Sequence, residues 1–165
     1  MLIPLKQFIC DTCGNIIQKP EDGWVEWIHS HDESKGKFYD HSFRIVHHKS
    51  ASPKKESSHC GCYQHTNMDR RSDDHLHHFI DDEFKMANIL SFLDVGPYHC
   101  NTFSGSSIND IREYVELVRR LTIPYYEEAR MYWQEALDDG YFTDANEIWI
   151  YGTKTLKHLI EEYGR

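Results

Sequence analysis

Long hydrophobic runs are missing from this chain. Nowhere do about 18 apolar residues follow one another, which excludes a membrane-spanning helix. Aliphatic mass is scarce as well. Leu, Ile, Val and Phe number 37 of the 165 residues, just above the ~20% share that, with high net charge, marks disorder. The opening Met1-Leu2-Ile3-Pro4-Leu5-Lys6 lacks the apolar core of a signal peptide, because Pro4 breaks it early. The cysteines number five, an odd count that speaks against a secreted disulfide scaffold. The expected setting is therefore a reducing cytoplasm, where closely spaced thiols point to metal or redox chemistry. There is no internal repeat and no P-loop. Ser104-Gly105-Ser106-Ser107 precedes a helix but has no following lysine, so it reads as a linker and N-cap.

Basic residues run short in the second half. Residues 81–165 hold 8 Lys and Arg against 16 Asp and Glu, which places nearly all of the net charge of −9 there. Nucleic-acid binding by counterion release needs clustered cations. Any such contact would have to come through the neutral first half, where Lys49, Lys54 and Lys55 read as ordinary loop solubility. The acidic half reads as solvated helix faces, suited to a protein partner or a homodimer.

What is present offsets the aliphatic shortage. Phe, Trp and Tyr number 22 and can fill a core with large rings. A bound metal could supply further stability to so lean a chain. The pattern predicts an α+β protein. In residues 1–80, strands are expected at Gln7-Phe8-Ile9, Asn15-Ile16-Ile17, Trp24 to Ile28 and Phe38 to His47, with a further short strand starting at Cys62-Tyr63-Gln64-His65, as an antiparallel meander. His31 to Lys37 is a polar connection. Residues 81–165 predict three or four helices packed on the first part. One is capped by Asp81 or Asp82, carries Phe84, Met86, Ile89, Leu90 and Leu93, and stops at Gly96-Pro97. One carries Ile108, Ile111, Val115 and Val118, with Tyr114, Leu117 and Leu121 beside them. One runs from Pro124 to Gly140, and one is capped by Thr143 and runs to Gly164.

Cys10-Asp11-Thr12-Cys13-Gly14 is the strongest chemical signal. A C-x-x-C turn points two thiolates at one place, and the glycine lets the backbone curl behind them. A second arm follows in His47-His48 and His59-Cys60-Gly61-Cys62. His47 shares a strand face with Phe43 and Ile45 at the period of two, so it faces inward while His48 faces away. Cys10, Cys13, His47 and Cys62 are the expected ligands of one ion. His48 for His47, Cys60 for Cys62, or four cysteines together are the alternatives. A thioredoxin-like redox pair would need a helix after Cys13, and Gly14-Asn15-Ile16-Ile17 favours a turn and strand instead. Asp73, His75, His77 and His78 form a second His/Asp cluster. Its expected role is a hydrated turn, with a hydrolytic metal site as the rival reading. Cys100 reads as an idle thiol.

The segment Phe8-Ile9-Cys10-Asp11-Thr12-Cys13-Gly14, with the strands after it, resembles a zinc ribbon over roughly the first 65 residues. The whole chain is similar to uncharacterised bacterial zinc-ribbon proteins with an F-I-C-x-x-C-G start and a helical tail. The resemblance implies a structural Zn2+ and a three- or four-stranded sheet, in modules that dock proteins or nucleic acids. The chain departs from the pattern in lacking a second C-x-x-C. The joint expectation is a non-enzymatic protein-binding or regulatory module with one structural zinc.

Overall fold

The computed structural model describes residues 1–53, 62, 71–94 and 108–164. Cys60, the expected strand beyond Cys62, Lys54, Lys55, Gly96-Pro97, Cys100 and the linker Asn101 to Ser107 lie outside the described residues.

The chain is α+β. A small hairpin comes first: β1 (Phe8–Ile9) pairs antiparallel with β2 (Ile16–Ile17), Phe8 opposite Ile17. Pro20–Asp22 forms one 3-10 turn, where proline's fixed φ suits the first position. Then β3 (Gly23–Asp32) and β4 (Lys37–His47) form a long antiparallel pair. Both extend further into the polar connection than expected. Their turn closes over Asp32, whose carboxylate accepts the Ser34 amide at 3.0 Å, and Gly36 takes φ +60°.

The third strand of this sheet falls where hydrophobicity gave no signal. It is β5 (Arg71–His75), a polar stretch read from sequence as a turn. Nor does the sheet follow chain order: β3 lies between β4 and β5. The pairing of Val25 with Asp74 and of Trp27 with Ser72 explains the reversal. The aromatic and β-branched strand takes the centre, and the hydrophilic one takes an edge that tolerates it.

One irregularity joins sheet to helix. Between the Glu26–Arg44 and Ile28–His41 pairs, β4 has one residue more than β3, and Ser42 takes φ +57°. The bulge frees the Phe43 amide, which donates to Glu113 of the second helix at 2.6 Å.

Six helical segments follow among the described residues. The expected cap is not formed: α1 (Lys85–Ser91) starts after Phe84 with no side-chain cap, and Asp81 accepts the Glu83 amide at 2.9 Å in the turn before it. Ile89 and Phe92 are buried there, whereas Phe84, Met86 and Leu90 face solvent. In α2 (Ile111–Thr122) the buried residues are Tyr114, Leu117, Leu121 and Arg120; Val115 and Val118 of the expected leading stripe are only partly buried, and Ile111 is exposed. The stripe is rotated because aromatic Tyr114 meets Phe43 and Phe92 at 5.7 Å each. The third expected helix is broken. Tyr125 takes φ +70°, and α3 (Tyr126–Ala129), one 3-10 turn and α4 (Trp133–Asp138) share its span. Gly140 closes it in the left-handed conformation expected of a helix-ending glycine. Asn146, not Thr143, caps the next segment, α5 (Glu147–Ile150). After Gly152 comes α6 (Thr153–Tyr163).

Two cores result. The larger gathers Phe8, Ile17, Val25, Ile45, Leu76, Phe79, Phe92, Tyr114 and Leu121, drawing on both sides of position 80. The smaller packs Tyr126, Ala129, Ala136, Leu156, Leu159 and Ile160 among Trp133, Phe142 and Tyr151. Trp133 stacks on Tyr151 at 5.8 Å, so rings do stand in for absent aliphatic mass. Among the described residues no helix is long and apolar enough to cross a membrane.

Candidate metal centre

The turn after β1 brings the first two thiols together. The Cys10 amide donates to Asn15 O at 3.0 Å, and the Gly14 amide donates back to Cys10 O at 2.9 Å. Gly14 stands at φ +73°, a conformation that closes this tight turn and that a side chain would strain. His47 arrives at the end of β4, opposite Gly23. Cys62 is fastened by Ser52 and Thr12. Its amide donates to Ser52 Oγ at 3.0 Å, and the Ser52 hydroxyl donates to its Sγ at 3.2 Å. The Thr12 hydroxyl, inside the C-x-x-C turn, donates to the Cys62 carbonyl at 2.9 Å.

Sγ of Cys10, Cys13 and Cys62 and a ring nitrogen of His47 thereby all lie within 4.8 Å of one another. Two thiolates on one zinc ion, with Zn–S near 2.3 Å, sit about 3.8 Å apart in a tetrahedron. The spacing therefore suits a single ion. Cys10, His47 and Cys62 are buried, and Cys13 is partly exposed.

The histidine is set for ligation. Its Nε2 lies 3.3 Å from the Ile16 carbonyl, which can only accept, so Nε2 carries the proton. Nδ1 is then the bare lone pair, and it faces Cys13 Sγ at 3.5 Å. A backbone carbonyl that fixes the tautomer in this way is the usual partner of a metal-bound imidazole. Burial, and then the Cys10 and Cys62 thiols, push the Cys13 thiol up to about 12, against the Asn15 amide. Thiols crowded together hold their protons; a dication among them reverses that preference.

All four expected ligands converge. His48 does not join them: its ring stacks on Trp24 at 5.1 Å, and its Nδ1 engages Ser50 at 2.8 Å. The second cluster is also drawn together, but differently. His75 stacks on Trp24 at 4.1 Å, His77 and His78 lie 4.3 Å apart between ring centres, and His78 Nδ1 meets Asp74 at 2.9 Å. Among the described residues these donors, Asp73 included, do not form a second converging metal set. They form an imidazole–indole stack at the end of β5.

Sequence reasoning missed the support behind the turn. Asp11, between the two ligands, accepts Arg120 Nη1 at 2.7 Å and Arg130 Nη2 at 3.3 Å. Glu127 accepts Arg120 Nε at 2.7 Å. Arg120 and Glu127 are buried. Burial alone would lower the guanidinium's proton affinity, but Glu127 and then Asp11 outweigh it and hold Arg120 above its ordinary value. The one local hint was a carboxylate inside a C-x-x-C turn. No protein-family model, curated protein or solved structure matches the chain.

Proposed function

We propose that Cys10, Cys13, His47 and Cys62 hold one structural zinc ion in a non-enzymatic binding or regulatory protein. The observation that carries this reading is the convergence of four protein donors within 4.8 Å. Three sulfurs and one imidazole nitrogen suit zinc better than a hard cation, which prefers oxygen. When bound, the ion would contribute folding free energy to the lean front half. Four protein ligands leave no position for an activated water, as a closed structural site requires. The zinc-ribbon resemblance of Phe8 to Gly14 agrees with this reading. The acidic second half and the solvent-facing Ile148 and Trp149 of α5 favour a protein partner or a second copy over nucleic acid.

Metal analysis of the purified chain tests the site. One zinc per chain is expected, lost together with front-half stability in Cys10→Ser and Cys62→Ser. Cobalt substitution should give the intense visible bands of a tetrahedral thiolate site. A chain that keeps its stability in excess chelator and takes up no cobalt would refute the reading. Sedimentation of the zinc-loaded protein tests for the second copy.

A further inference from the structure

Among the described residues, the polar bonds of Asp11 all leave the turn that holds the ligands. Its amide donates to the Ile45 carbonyl at 2.9 Å. Its Oδ2 accepts the Ile45 amide and Arg120 Nη1, each at 2.7 Å, and its Oδ1 accepts Arg130 Nη2 at 3.3 Å. Two residues earlier, the Ile9 amide donates to Glu127 Oε1 at 2.9 Å, and the Ile9 carbonyl accepts Arg120 Nη2 at 3.3 Å. Arg120 belongs to α2, Glu127 to α3, and Arg130 to the turn after it. One short piece of chain thus carries two ligands and also completes the charge network of the helical half.

We propose that the metal centre is a latch between the two halves: its ion fixes the Cys10–Cys13 turn, and the fixed turn holds α2 and α3 through Asp11 and Ile9. The inference rests on the metal reading above. Both sides of the contact are locally weak. The hairpin β1–β2 pairs only two residues per strand, too few to hold a turn unaided. On the other side, α3 is a single turn entered through Tyr125 at φ +70° and followed at once by a 3-10 turn, an irregular start to the segment that ends in α4. The network balances two guanidiniums, buried Arg120 and partly exposed Arg130, against two carboxylates, Asp11 at the rim and buried Glu127. If the turn loosens and withdraws Asp11, buried Arg120 is left to share Glu127 with Arg130, and the helices must rearrange. Leu156 and Leu159 of α6 share the smaller core with Tyr126 and Ala129 of α3, but among the described residues no α6 side chain bonds to the charge network. Linkage makes the effect reciprocal, so weakening the Asp11 contacts must weaken metal binding by the factor through which metal strengthens them.

Hydrogen–deuterium exchange on the full chain, zinc-loaded and then chelated, tests the latch together with zinc affinity measured by chelator competition. Chelation should speed exchange across residues 111–132 far more than across α6, which only borders α3 through the smaller core. Asp11→Asn keeps all four ligands, yet should bind zinc about 10-fold more weakly, the usual penalty for losing an outer partner of a metal site. Arg130→Gln touches a more exposed contact and should shift affinity in the same direction by less, which guards against a misfolded Asp11 variant. Unchanged exchange over 111–132 on chelation, or native zinc affinity in both variants, would overturn the latch and leave the metal site standing. So would a uniform rise that includes α6, because that is global unfolding. A native chain that takes up no zinc removes both proposals, so the two failures are distinct.

Discussion

Replacing Arg120 with methionine tests the buried network directly. Arg120 donates from Nε to Glu127 at 2.7 Å, from Nη1 to Asp11 at 2.7 Å, and from Nη2 to Glu127 at 2.9 Å and to the Ile9 carbonyl at 3.3 Å. Methionine fills much of the volume but leaves Glu127, only 6% exposed, with Arg130 at 3.2 Å as its remaining cation. Removing one partner of a buried ion pair costs about 3–5 kcal/mol. Arg130 stays in place, so the lower end, about 3 kcal/mol, is expected. That is a large share of the roughly 5–15 kcal/mol that holds a typical domain. With a urea slope near 2 kcal/mol per molar, the unfolding midpoint of the zinc-loaded protein should fall by about 1.5 M. The double variant Arg120→Met/Glu127→Leu removes both charges and leaves Asp11 with Arg130 at 3.3 Å. It should be more stable than Arg120→Met alone, with a coupling energy of roughly 2 kcal/mol. A single variant costing under about 1 kcal/mol, or a double variant costing the sum of the two singles, would refute the reasoning.

Other sites give independent checks. A Cβ on Gly23 would stand 2.7 Å from Leu76 Cδ2 and 3.3 Å from Ile17 Cγ2, both side chains fully buried, so Gly23→Ala should cost about 1–3 kcal/mol in thermal melts. Ser42 stands at φ +57°, so Ser42→Val should be about 1–2 kcal/mol less stable than Ser42→Gly by urea unfolding. His77 is held below its ordinary value of 6.5 by burial and then by the charges of His78 and His75. Its folded form favours the neutral ring, so this stability is present above 6.5 and is lost as pH falls through the depressed folded value. A proton NMR titration should show His77 charging at lower pH than it does in urea-unfolded protein, and coincident titrations would reject this account.

The amino-acid order alone marked the parts whose logic is local. A C-x-x-C followed by glycine dictates a thiol-bearing turn through a few adjacent dihedrals, and alternation along Phe43, Ile45 and His47 told which imidazole faces inward. The α+β division, the hairpin at Phe8 to Ile17 and the glycine stop at Gly140 were legible for the same reason. Where a signal was polar or relational, the reading went astray. Arg71–His75 has no hydrophobic period, and it is a strand because an open edge of β3 accepts it. The buried stripe of α2 was misjudged by one column, since several columns were apolar and only the facing aromatics choose among them.

Only the folded arrangement decided what the ligand turn is attached to. Asp11 and Arg120 stand 109 residues apart in the chain, and nothing in either neighbourhood announces the other. Local pattern fixes which backbone shapes a segment can take, because those energies involve nearest neighbours. Which charges meet around a buried ion such as Arg120 is set by the packing of all the elements at once, where the cost of an unpaired ion outweighs any local preference.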